Sequence, residues 1–510
     1  MSDGIQRRDF LKVIGVSGAG AGLAGCSTEE VEKLLPYVVP PEEITPGVAT
    51  WYATTCDECA AGCGVWARTR EGRVVTIEGN PNHPVSQGAL CSRGHSSLQG
   101  LYNPDRLHGP MRNVGGTFEP ISWEEAEELV AAQVQAAAGR LAFLRGNTGP
   151  SLTALIDAFV ANAGGTVAHY DGLADRGLEE AARIAFGSDS NVRFDFDQAQ
   201  LVFAFGADFL GGWTNQVEYT RKFAAMSHTN DELAKGKMVF FGPRLSLTGQ
   251  NADEWIPIRP GSEAGVALAM ASRIASRSSA AGPYDAQLRG FDVAAAASSA
   301  GITTEDVDRL ADEFTSSGAS VAVGPGHAGQ HAGATIANLA VLILNDVAGN
   351  LGRTVHAEAA PASGTVADLM GAVRGAAGGV VMVHGPNPAY SLPAGAGFDE
   401  AFAGATFRVS FAEIMDETAE MCDLVLPNRN SLESWGDHAT GSTLSLRQPV
   451  MQPVPMFDSK PVGDVLLSVA GQTSSDLGAT TFFEYLQNRW RGVHQGLQAA
   501  EGFDDWWRGT

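Results

Sequence analysis

Four of the six cysteines in this 510-residue chain stand close together, as Cys56-x2-Cys59-x3-Cys63-x27-Cys91. Three thiols in one tight loop, joined by a fourth from further along, can enclose a cubane iron–sulfur cluster. Four thiolates also satisfy tetrahedral zinc, but zinc ribbons usually bring two Cys-x2-Cys pairs, and here the second half supplies a single cysteine. The spacing therefore favours a [4Fe-4S] cluster, with zinc as the alternative, and it requires the surrounding chain to fold around the ligands.

The composition is that of a folded, acidic protein. Hydrophobic residues make up 44% of the chain and charged residues 18%, which suits roughly two to four globular domains. The formal net charge is −24. This charge argues against binding to nucleic acid and against electrostatic binding to anionic lipid, and we interpret it as a solvated acidic surface.

The first 26 residues have the pattern of an export signal with a lipid attachment point. Arg7 and Arg8 begin the segment RRDFLK, which resembles a twin-arginine motif, and a short stretch rich in glycine and alanine follows. That stretch is too short to span a bilayer, which needs about 20 apolar residues. Cys26 closes the sequence Leu-Ala-Gly-Cys, so we expect it to be acylated, with a plain signal peptide as the alternative. Residues 27–50, rich in proline and glutamate, would form a tether.

Beyond the cysteines, apolar strands alternate with amphipathic helices. The cysteine segment itself is β-rich, with a predicted hairpin turn at Glu71-Gly72, and Ser122 is expected to begin a helix that runs to about residue 138. The later predicted strands are 141–146, 201–208, 238–243, 320–326, 380–388, 408–413 and 422–427, and the predicted helices include 151–164 and 263–276. Continuous apolar strands between amphipathic helices predict α/β domains with parallel sheets covered on both faces.

Glycine-containing turns follow several of these strands. They read Gly206-Ala207-Asp208, Gly242-Pro243-Arg244, Gly324-Pro325-Gly326 and Gly385-Pro386-Asn387-Pro388. Each alone is only a tight turn. Together, at the carboxyl ends of parallel strands, they predict a nucleotide-like crevice, because ligands of such sheets bind there and glycine permits close backbone approach. Asn387 is the candidate cofactor-binding residue among them.

From about residue 51 to 460, the order of motifs resembles the molybdopterin oxidoreductase superfamily, the group of dimethyl sulfoxide reductase and polysulfide reductase. The resemblance rests on the four cysteines with the following Ser92-Arg93-Gly94 and on later segments. These segments are 102–111 (YNPDRLHGPM), 121–126 (ISWEEA), 252–271, 344–352 and 384–390. Within the superfamily, residues 243–261 and 432–454 are most similar to the molybdopterin-like subunit of alternative complex III, a membrane quinol-oxidising complex.

The resemblance implies a fold and a domain order. It implies a small β-rich iron–sulfur module followed by parallel-sheet α/β domains. Active members also end with a β-barrel domain that closes over the pterin, and we expect this chain to depart from them by lacking it. The expected divisions are 1–26 (signal), 27–50 (tether), 51–110 (iron–sulfur module), 111–150 with 300–440 (one α/β domain), 151–299 (a second) and 441–510 (a C-terminal extension). It also implies that Cys56, Cys59, Cys63 and Cys91 bind the cluster and that Arg93 lies between cluster and pterin.

The same resemblance bears on molybdenum. Active members supply a Ser, Cys, selenocysteine or Asp to the metal from the segment that matches residues 164–187, and this segment holds neither Ser nor Cys. Asp171 or Asp175 would have to serve. Molybdopterin guanine dinucleotide is therefore a candidate cofactor, but the expectation is iron without molybdenum.

Three functions follow from these features. The preferred one is an exported, lipid-anchored electron-transfer and scaffold subunit of a respiratory quinol oxidoreductase. Its partners would be a ferredoxin-like iron–sulfur subunit, a multihaem cytochrome c and quinone-binding integral membrane subunits. The alternatives are an active molybdopterin-dependent subunit similar to polysulfide or thiosulfate reductase, and a structural lipoprotein whose cysteines hold zinc or nothing.

Overall fold

The computed structural model describes residues 45–187, 190–228, 235–277, 282–325, 332–359 and 364–509. Arg7, Arg8 and Cys26 lie outside the described residues, so the export signal and the lipid anchor stay predictions. The described residues before Ala49 belong to a separate unit, and the elements below all belong to the unit that begins at Ala49. No helix among the described residues combines the length and the apolarity needed to cross a membrane.

Strands and helices alternate through most of the described chain. The strands are β1 (Thr50–Thr55), β2 (Gly64–Arg70), β3 (Arg73–Gly79), β4 (Met111–Val114), β5 (Thr117–Pro120), β6 (Leu141–Arg145), β7 (Thr166–His169), β8 (Ser190–Phe194), β9 (Leu201–Phe205), β10 (Lys237–Phe241), β11 (Glu254–Ile256), β12 (Ser320–Val323), β13 (Val355–Ala359), β14 (Val380–His384), β15 (Phe407–Phe411), β16 (Leu424–Val425), β17 (Gly436–Thr440) and β18 (Thr443–Arg447). The helices are α1 (Ser92–Leu101), α2 (Trp123–Ala137), α3 (Pro150–Asn162), α4 (Arg176–Phe186), α5 (Gln216–Ser227), α6 (Leu247–Gln250), α7 (Glu263–Arg277), α8 (Asp285–Arg289), α9 (Val293–Ala300), α10 (Thr304–Ser316), α11 (Ala334–Val347), α12 (Val366–Gly375), α13 (Pro388–Ser391), α14 (Phe398–Ala403), α15 (Glu417–Glu420), α16 (Val462–Gln472), α17 (Phe482–Leu497) and α18 (Phe503–Gly509).

The cysteine segment folds around a three-stranded antiparallel sheet in the order β1-β2-β3. The predicted turn is present, because Glu71 and Gly72 join β2 to β3 with φ angles of 46° and 76°. Two consecutive left-handed residues match the right-handed twist of the strands that they connect. The inner face of the sheet packs its apolar side chains on Leu101 of α1 and on Leu432 and Val450 from the far end of the chain.

A seven-stranded sheet in the order β5-β4-β16-β15-β14-β6-β7 forms the first α/β layer. The strands from β16 to β7 are parallel, and the β4–β5 hairpin adds an antiparallel edge. Alternate residues face opposite cores. Phe143 and Met382 enter the core that α2 and α16 cover, whereas Leu144 and Val383 enter the core that α12 covers. The prediction of parallel sheets buried on both faces is confirmed here.

The second layer is a four-stranded parallel sheet in the order β11-β10-β9-β12. Phe203 and Phe205 face one core, and Val202 and Ala204 face the other. β7 pairs with β6 across the domain limit expected near residue 150. β12 pairs with β9 across the limit expected near residue 300. Those limits stay a prediction.

The strands are shorter than predicted at their carboxyl ends. β9 stops at Phe205 and β14 stops at His384, although extended chain was expected to residues 208 and 388. The next residues, Gly206 and Gly385, have φ angles of 77° and 94°. A left-handed glycine cannot continue a strand, and it turns the chain away from the sheet at once.

Candidate metal centre and adjoining cleft

The four clustered cysteines come from three neighbouring backbone segments. Cys56 follows β1 and Cys63 precedes β2, and the backbone N–H of Cys56 donates to the carbonyl of Cys63 at 2.8 Å, which closes the loop that carries Cys59. Cys91 is the residue that caps α1, where its Sγ accepts from the backbone N–H of Gly94 at 3.5 Å. A helix N-terminus favours negative charge on such a sulfur.

Burial dominates the electrostatics of these thiols. It raises the pKa of Cys56 and of Cys59, and it raises the pKa of Cys63 to about 12. Repulsion between the sulfurs adds to the effect, since Cys63 is influenced by Cys59 and Cys91, and Cys56 by Cys63 and Cys59. The four thiols therefore share one neighbourhood in which several thiolates are stable only beside a compensating cation, and iron supplies such a charge.

Among the described residues, no group of three or more His, Cys, Asp and Glu side chains surrounds one point as ligands of a single ion. The thiolates of a cubane bind different iron atoms and need not converge on one point. The fit of this loop to a [4Fe-4S] cluster thus rests on its donor set, which is four sulfurs in one largely buried place.

Charged side chains of opposite sign border Cys59. Arg93, exposed on the first turn of α1, lowers the pKa of Cys59 and also that of Glu58, in each case against the larger effect of burial. Asp171 acts in the opposite direction and raises the pKa of Cys59. Arg93 therefore lies beside the cysteine loop, and its expected position between cluster and pterin stays a prediction.

The two candidate aspartates differ in what holds them. Asp175 begins α4, where its Oδ1 accepts from the N–H of Leu178 at 3.1 Å and its Oδ2 from the indole N–H of Trp213 at 2.8 Å. Asp171 accepts from the amide of Asn147 at 2.6 Å, and Asn147 also contacts His169 at 3.3 Å. Only Asp171 acts on Cys59, so the structure brings it, rather than Asp175, to the cysteine loop.

Hydrogen bonds to α15 occupy the side chain of Asn387. Its Oδ1 accepts from the Thr418 hydroxyl at 2.7 Å and its Nδ2 donates to Glu417 at 2.6 Å, while it also caps the short helix α13. These bonds join the turn after β14 to α15. The proposed contact of Asn387 with a cofactor stays a prediction.

A cleft opens where the strand order of the seven-stranded sheet reverses. β6 is followed by β7 on one side, whereas β14 is followed by β15 on the other. Asn147, Thr148 and Gly149 after β6 and His384 at the end of β14 line the cleft, which has a volume of about 60 Å³. Ligands of open α/β sheets bind at such a switch point. The lining includes no described residue of the glycine turns at 206–208, 242–244, 324–326 and 385–388, so the predicted nucleotide-like crevice stays a prediction. Burial lowers the pKa of His384, which keeps the imidazole neutral.

The hairpin β17–β18 holds the cysteine loop from outside. The His438 ring bonds to the carbonyl of Ala60 and the Thr440 hydroxyl donates to the carbonyl of Ala61, both at 3.1 Å. Arg447 pairs with Asp57, next to Cys56. A side chain at Gly62, whose φ angle is 54°, would overlap the His438 ring. Sequence reasoning missed this clamp, because its partners lie almost 380 residues apart and share no local pattern.

The cleft does not fit a pterin dinucleotide as it stands. Sites for ligands of moderate size enclose about 300–1,000 Å³, whereas this cleft has about 60 Å³. Asp437 and Arg447 of the hairpin stand in its wall together with Glu413. No step of a mechanism is therefore derived through a pterin in this cleft.

Family comparisons agree with this architecture. The family described as molybdopterin oxidoreductase Fe4S4 domain matches residues 49–103, and the family described as molybdopterin oxidoreductase matches residues 106–458. The first match contains all four clustered cysteines. The second begins after α1 and contains both large sheets and the hairpin.

Individual relatives cover different shares of the chain. The molybdopterin-binding-like subunit of menaquinone reductase from Nitratidesulfovibrio vulgaris is 31% identical over 524 residues, which cover 95% of this chain and 74% of that protein. The molybdopterin-containing subunit of arsenate respiratory reductase from a Shewanella species is 31% identical over 286 residues, and that of thiosulfate reductase from Salmonella typhimurium is 28% identical over 288. Each of these alignments covers 52% of this chain, but only 32% and 34% of the respective relative. Among solved structures, acetylene hydratase from Pelobacter acetylenicus superposes with a TM-score of 0.70 at 15% identity, over 83% of this chain and 69% of that one, which shows a shared fold.

Proposed function

The chain belongs to the molybdopterin oxidoreductase family, and we propose that it serves there as an iron–sulfur electron-transfer and scaffold subunit of a respiratory quinone oxidoreductase complex, without molybdenum. A [4Fe-4S] cluster held by Cys56, Cys59, Cys63 and Cys91 would supply one-electron oxidation and reduction. The residues of this chain would bind that group, set its charge environment and join it to the α/β layers.

One observation carries the proposal. The described cysteine loop gathers four thiols, and burial together with repulsion from neighbouring sulfurs raises the pKa of three of them, Cys56, Cys59 and Cys63. Without a metal these thiols stay protonated, because burial disfavours their thiolate forms. A bound iron–sulfur group supplies the positive charge that lets buried cysteines act as thiolate ligands, and the Fe4S4 domain match over residues 49–103 supports the same assignment.

Arg93 and the hairpin would set the electrical and mechanical environment of the loop. A cation near Cys59 favours the more negative, reduced state of a bound cluster and so raises its reduction potential. The bonds from His438 and Thr440 fix the carbonyls of Ala60 and Ala61. This fixes the loop backbone between Cys59 and Cys63, which keeps reorganisation small during electron transfer.

The setting of the proposed complex comes from the relative and from the N-terminal sequence. One relative, of which this chain covers 74%, is named as a menaquinone reductase subunit. We therefore place the chain beside quinone-binding integral membrane subunits, a ferredoxin-like iron–sulfur subunit and a multihaem cytochrome c. The Arg7-Arg8 motif and Cys26 support our proposal that it is a lipoprotein on the extracytoplasmic face of the cytoplasmic membrane.

The test is metal analysis and electron paramagnetic resonance on the full chain, purified anaerobically with and without the proteins that copurify. We expect about four iron atoms per chain, a cubane signal that appears on reduction, and no molybdenum. Quinone-binding subunits should copurify, and a menaquinol analogue should reduce the cluster in that complex. Zinc in place of iron, or a cluster that no quinol reduces in the isolated complex, would contradict the proposal.

A catalytic molybdopterin subunit is the second candidate, and one observation favours it. Asp171 stands on the loop after β7, close enough to Cys59 to raise its pKa, and two of the relatives are molybdopterin-containing reductase subunits. Stoichiometric molybdenum in the same preparation would select this candidate. Asp171→Asn should then abolish turnover, whereas Asp175→Asn should affect mainly stability, because Asp175 caps α4.

A further inference from the structure

We infer that Asp437 is a built-in anion that keeps the switch-point cleft closed to phosphate-bearing cofactors. The inference rests on the proposed function and deepens it, because it names the side chain that occupies the position of a cofactor phosphate. The crevice of an α/β sheet binds phosphates at a helix N-terminus beyond the strand ends. Here the chain's own carboxylate occupies that position.

The contacts of Asp437 are those of a bound anion. It lies at the start of α3, where its Oδ1 accepts from the backbone N–H of Ser151 at 3.0 Å. Its Oδ2 accepts from the Ser151 hydroxyl at 2.5 Å and from the indole N–H of Trp490 at 3.1 Å. The residue is only 3% exposed. Two donors of the helix start and one donor from α17 are thus already used.

The backbone packing around this contact keeps the Asp437 carboxylate at the start of α3. A Cβ at Gly149, the residue before α3, would overlap the carbonyl of Asp437 and approach its Oδ1, so glycine is what allows the strand to sit against the turn. One residue further along the hairpin, His438 bonds to the cysteine loop, and Arg447 on the paired strand bonds to Asp57. The carboxylate is therefore held on a strand that is anchored at both ends.

The volume and the charge of the cleft also oppose the binding of a phosphate-bearing ligand. Its volume of about 60 Å³ is several times smaller than the roughly 300–1,000 Å³ of sites that bind ligands of moderate size. A phosphate brought to Ser151 would meet the Asp437 carboxylate directly, and like charges in a desolvated site repel strongly. The charge of Asp437 thus excludes a phosphate group from the Ser151 position, and the small volume excludes the bulk of a nucleotide.

The experiment uses the full chain with its cluster and inorganic pyrophosphate as the probe. The wild-type chain should show no saturable binding in calorimetry and no rise in melting temperature at millimolar probe. Asp437→Ser removes the carboxylate and leaves the donors of Ser151 and Trp490 free, so we expect saturable millimolar binding and a melting temperature that rises with probe concentration. Asp292→Ser is the matched control, because Asp292 caps the exposed start of α9 away from the cleft, and it should show no response.

Two outcomes would overturn the inference. One is wild-type protein that binds pyrophosphate as well as the variant does, and the other is a folded, cluster-bearing Asp437→Ser that gains no binding. If Asp437→Ser does not fold, acid release of nucleotide from the purified wild-type complex decides the matter. None should be released, and one nucleotide per chain would contradict closure. The cluster signal is recorded on the same samples, so a failure of the proposed function shows as missing iron whatever the pyrophosphate result.

Discussion

The cysteine loop and the switch-point cleft meet at the same hairpin, β17–β18, but their polar groups are in opposite states. In the loop, burial raises the pKa of three thiols, and the groups that offset it are a few backbone N–H donors and Arg93. In the cleft, Asp437 is bonded to Ser151 and Trp490, and Asp57 is paired with Arg447. Buried polarity without a partner indicates a place that a ligand completes, whereas buried polarity with partners indicates a place that the chain completes itself.

The largest expected effect comes from removing one thiol of the loop. Cys63→Ser should reduce bound iron from about four atoms per chain to about one or none and abolish the cubane signal, because a hydroxyl is a poor ligand for iron of this kind. Iron analysis and absorbance of the anaerobic protein measure this. Cys422→Ser is the control, since Cys422 is equally buried but sits beside α15, away from the loop. If Cys63→Ser retains a full cluster, Cys63 is not a ligand, and the claim that a cluster completes the loop would be wrong.

The next effect concerns the joint between the iron–sulfur module and the segment before the hairpin. Arg106 and Glu433 form an ion pair of 2.9 Å with side chains only 2% and 1% exposed, and Phe457 stacks on the guanidinium. Glu433→Gln leaves the Arg106 charge buried without its partner, which should cost about 3–5 kcal/mol of unfolding free energy in denaturant titration. Glu180→Gln breaks the exposed pair with Arg183 and should change stability little. Equal effects in both variants would show that burial does not set the cost.

A smaller effect tests the charge beside the loop. Arg93→Gln removes a cation near Cys59 and should lower the midpoint potential of the cluster by roughly 30–70 mV, from one unit charge at about 10 Å in a partly screened site. Potentiometric titration of the reduced signal measures the shift. Arg93→Lys should keep most of the potential, and Arg70→Gln, at the far end of β2, should leave it unchanged. No shift in Arg93→Gln would mean that the guanidinium points away from the cluster.

The smallest effect sharpens the view of the cleft. Burial raises the pKa of Glu413 above its usual 4.5, although Asn430 donates to it at 2.8 Å and Arg106 lies near. A carboxyl whose folded pKa is raised binds more protons in the folded chain, so its contribution to stability falls as pH rises from about 4.5 toward the folded pKa. Glu413→Gln should therefore gain stability relative to wild type as pH rises through that window. If the unfolding free energies of wild type and Glu413→Gln differ by the same amount at every pH, burial does not raise the pKa of Glu413.

Local features of the fold were predictable, because they depend on neighbours in sequence. The cysteine spacing placed the loop, Glu71-Gly72 placed the hairpin turn, and apolar runs placed the strands. Strand ends were misplaced, because Gly206 and Gly385 turn the chain as soon as each strand leaves its sheet. The family match over residues 106–458 confirms the resemblance that these motifs indicated.

The cleft was not predictable in the same way. Asp437 bonds to Ser151 and Arg447 pairs with Asp57, both more than 280 residues away, and an aspartate in a strand carries no periodic signal. Asp171 and Asp175 were equivalent in the sequence, and only the folded chain separates them. Trp213, 38 residues further along, occupies one oxygen of Asp175. Long-range hydrogen bonds of this kind depend on the final packing and leave no local pattern.

The clamp on the cysteine loop also has a consequence for biosynthesis. Ala60 leaves the ribosome 378 residues before His438, the residue that will hold its carbonyl. At about 5–20 residues per second, that interval is roughly 20–80 s. During that time the loop is synthesised but not yet fastened, so the machinery that delivers iron has access to four open thiols. The hairpin that carries His438 would then retain a cluster that was inserted earlier.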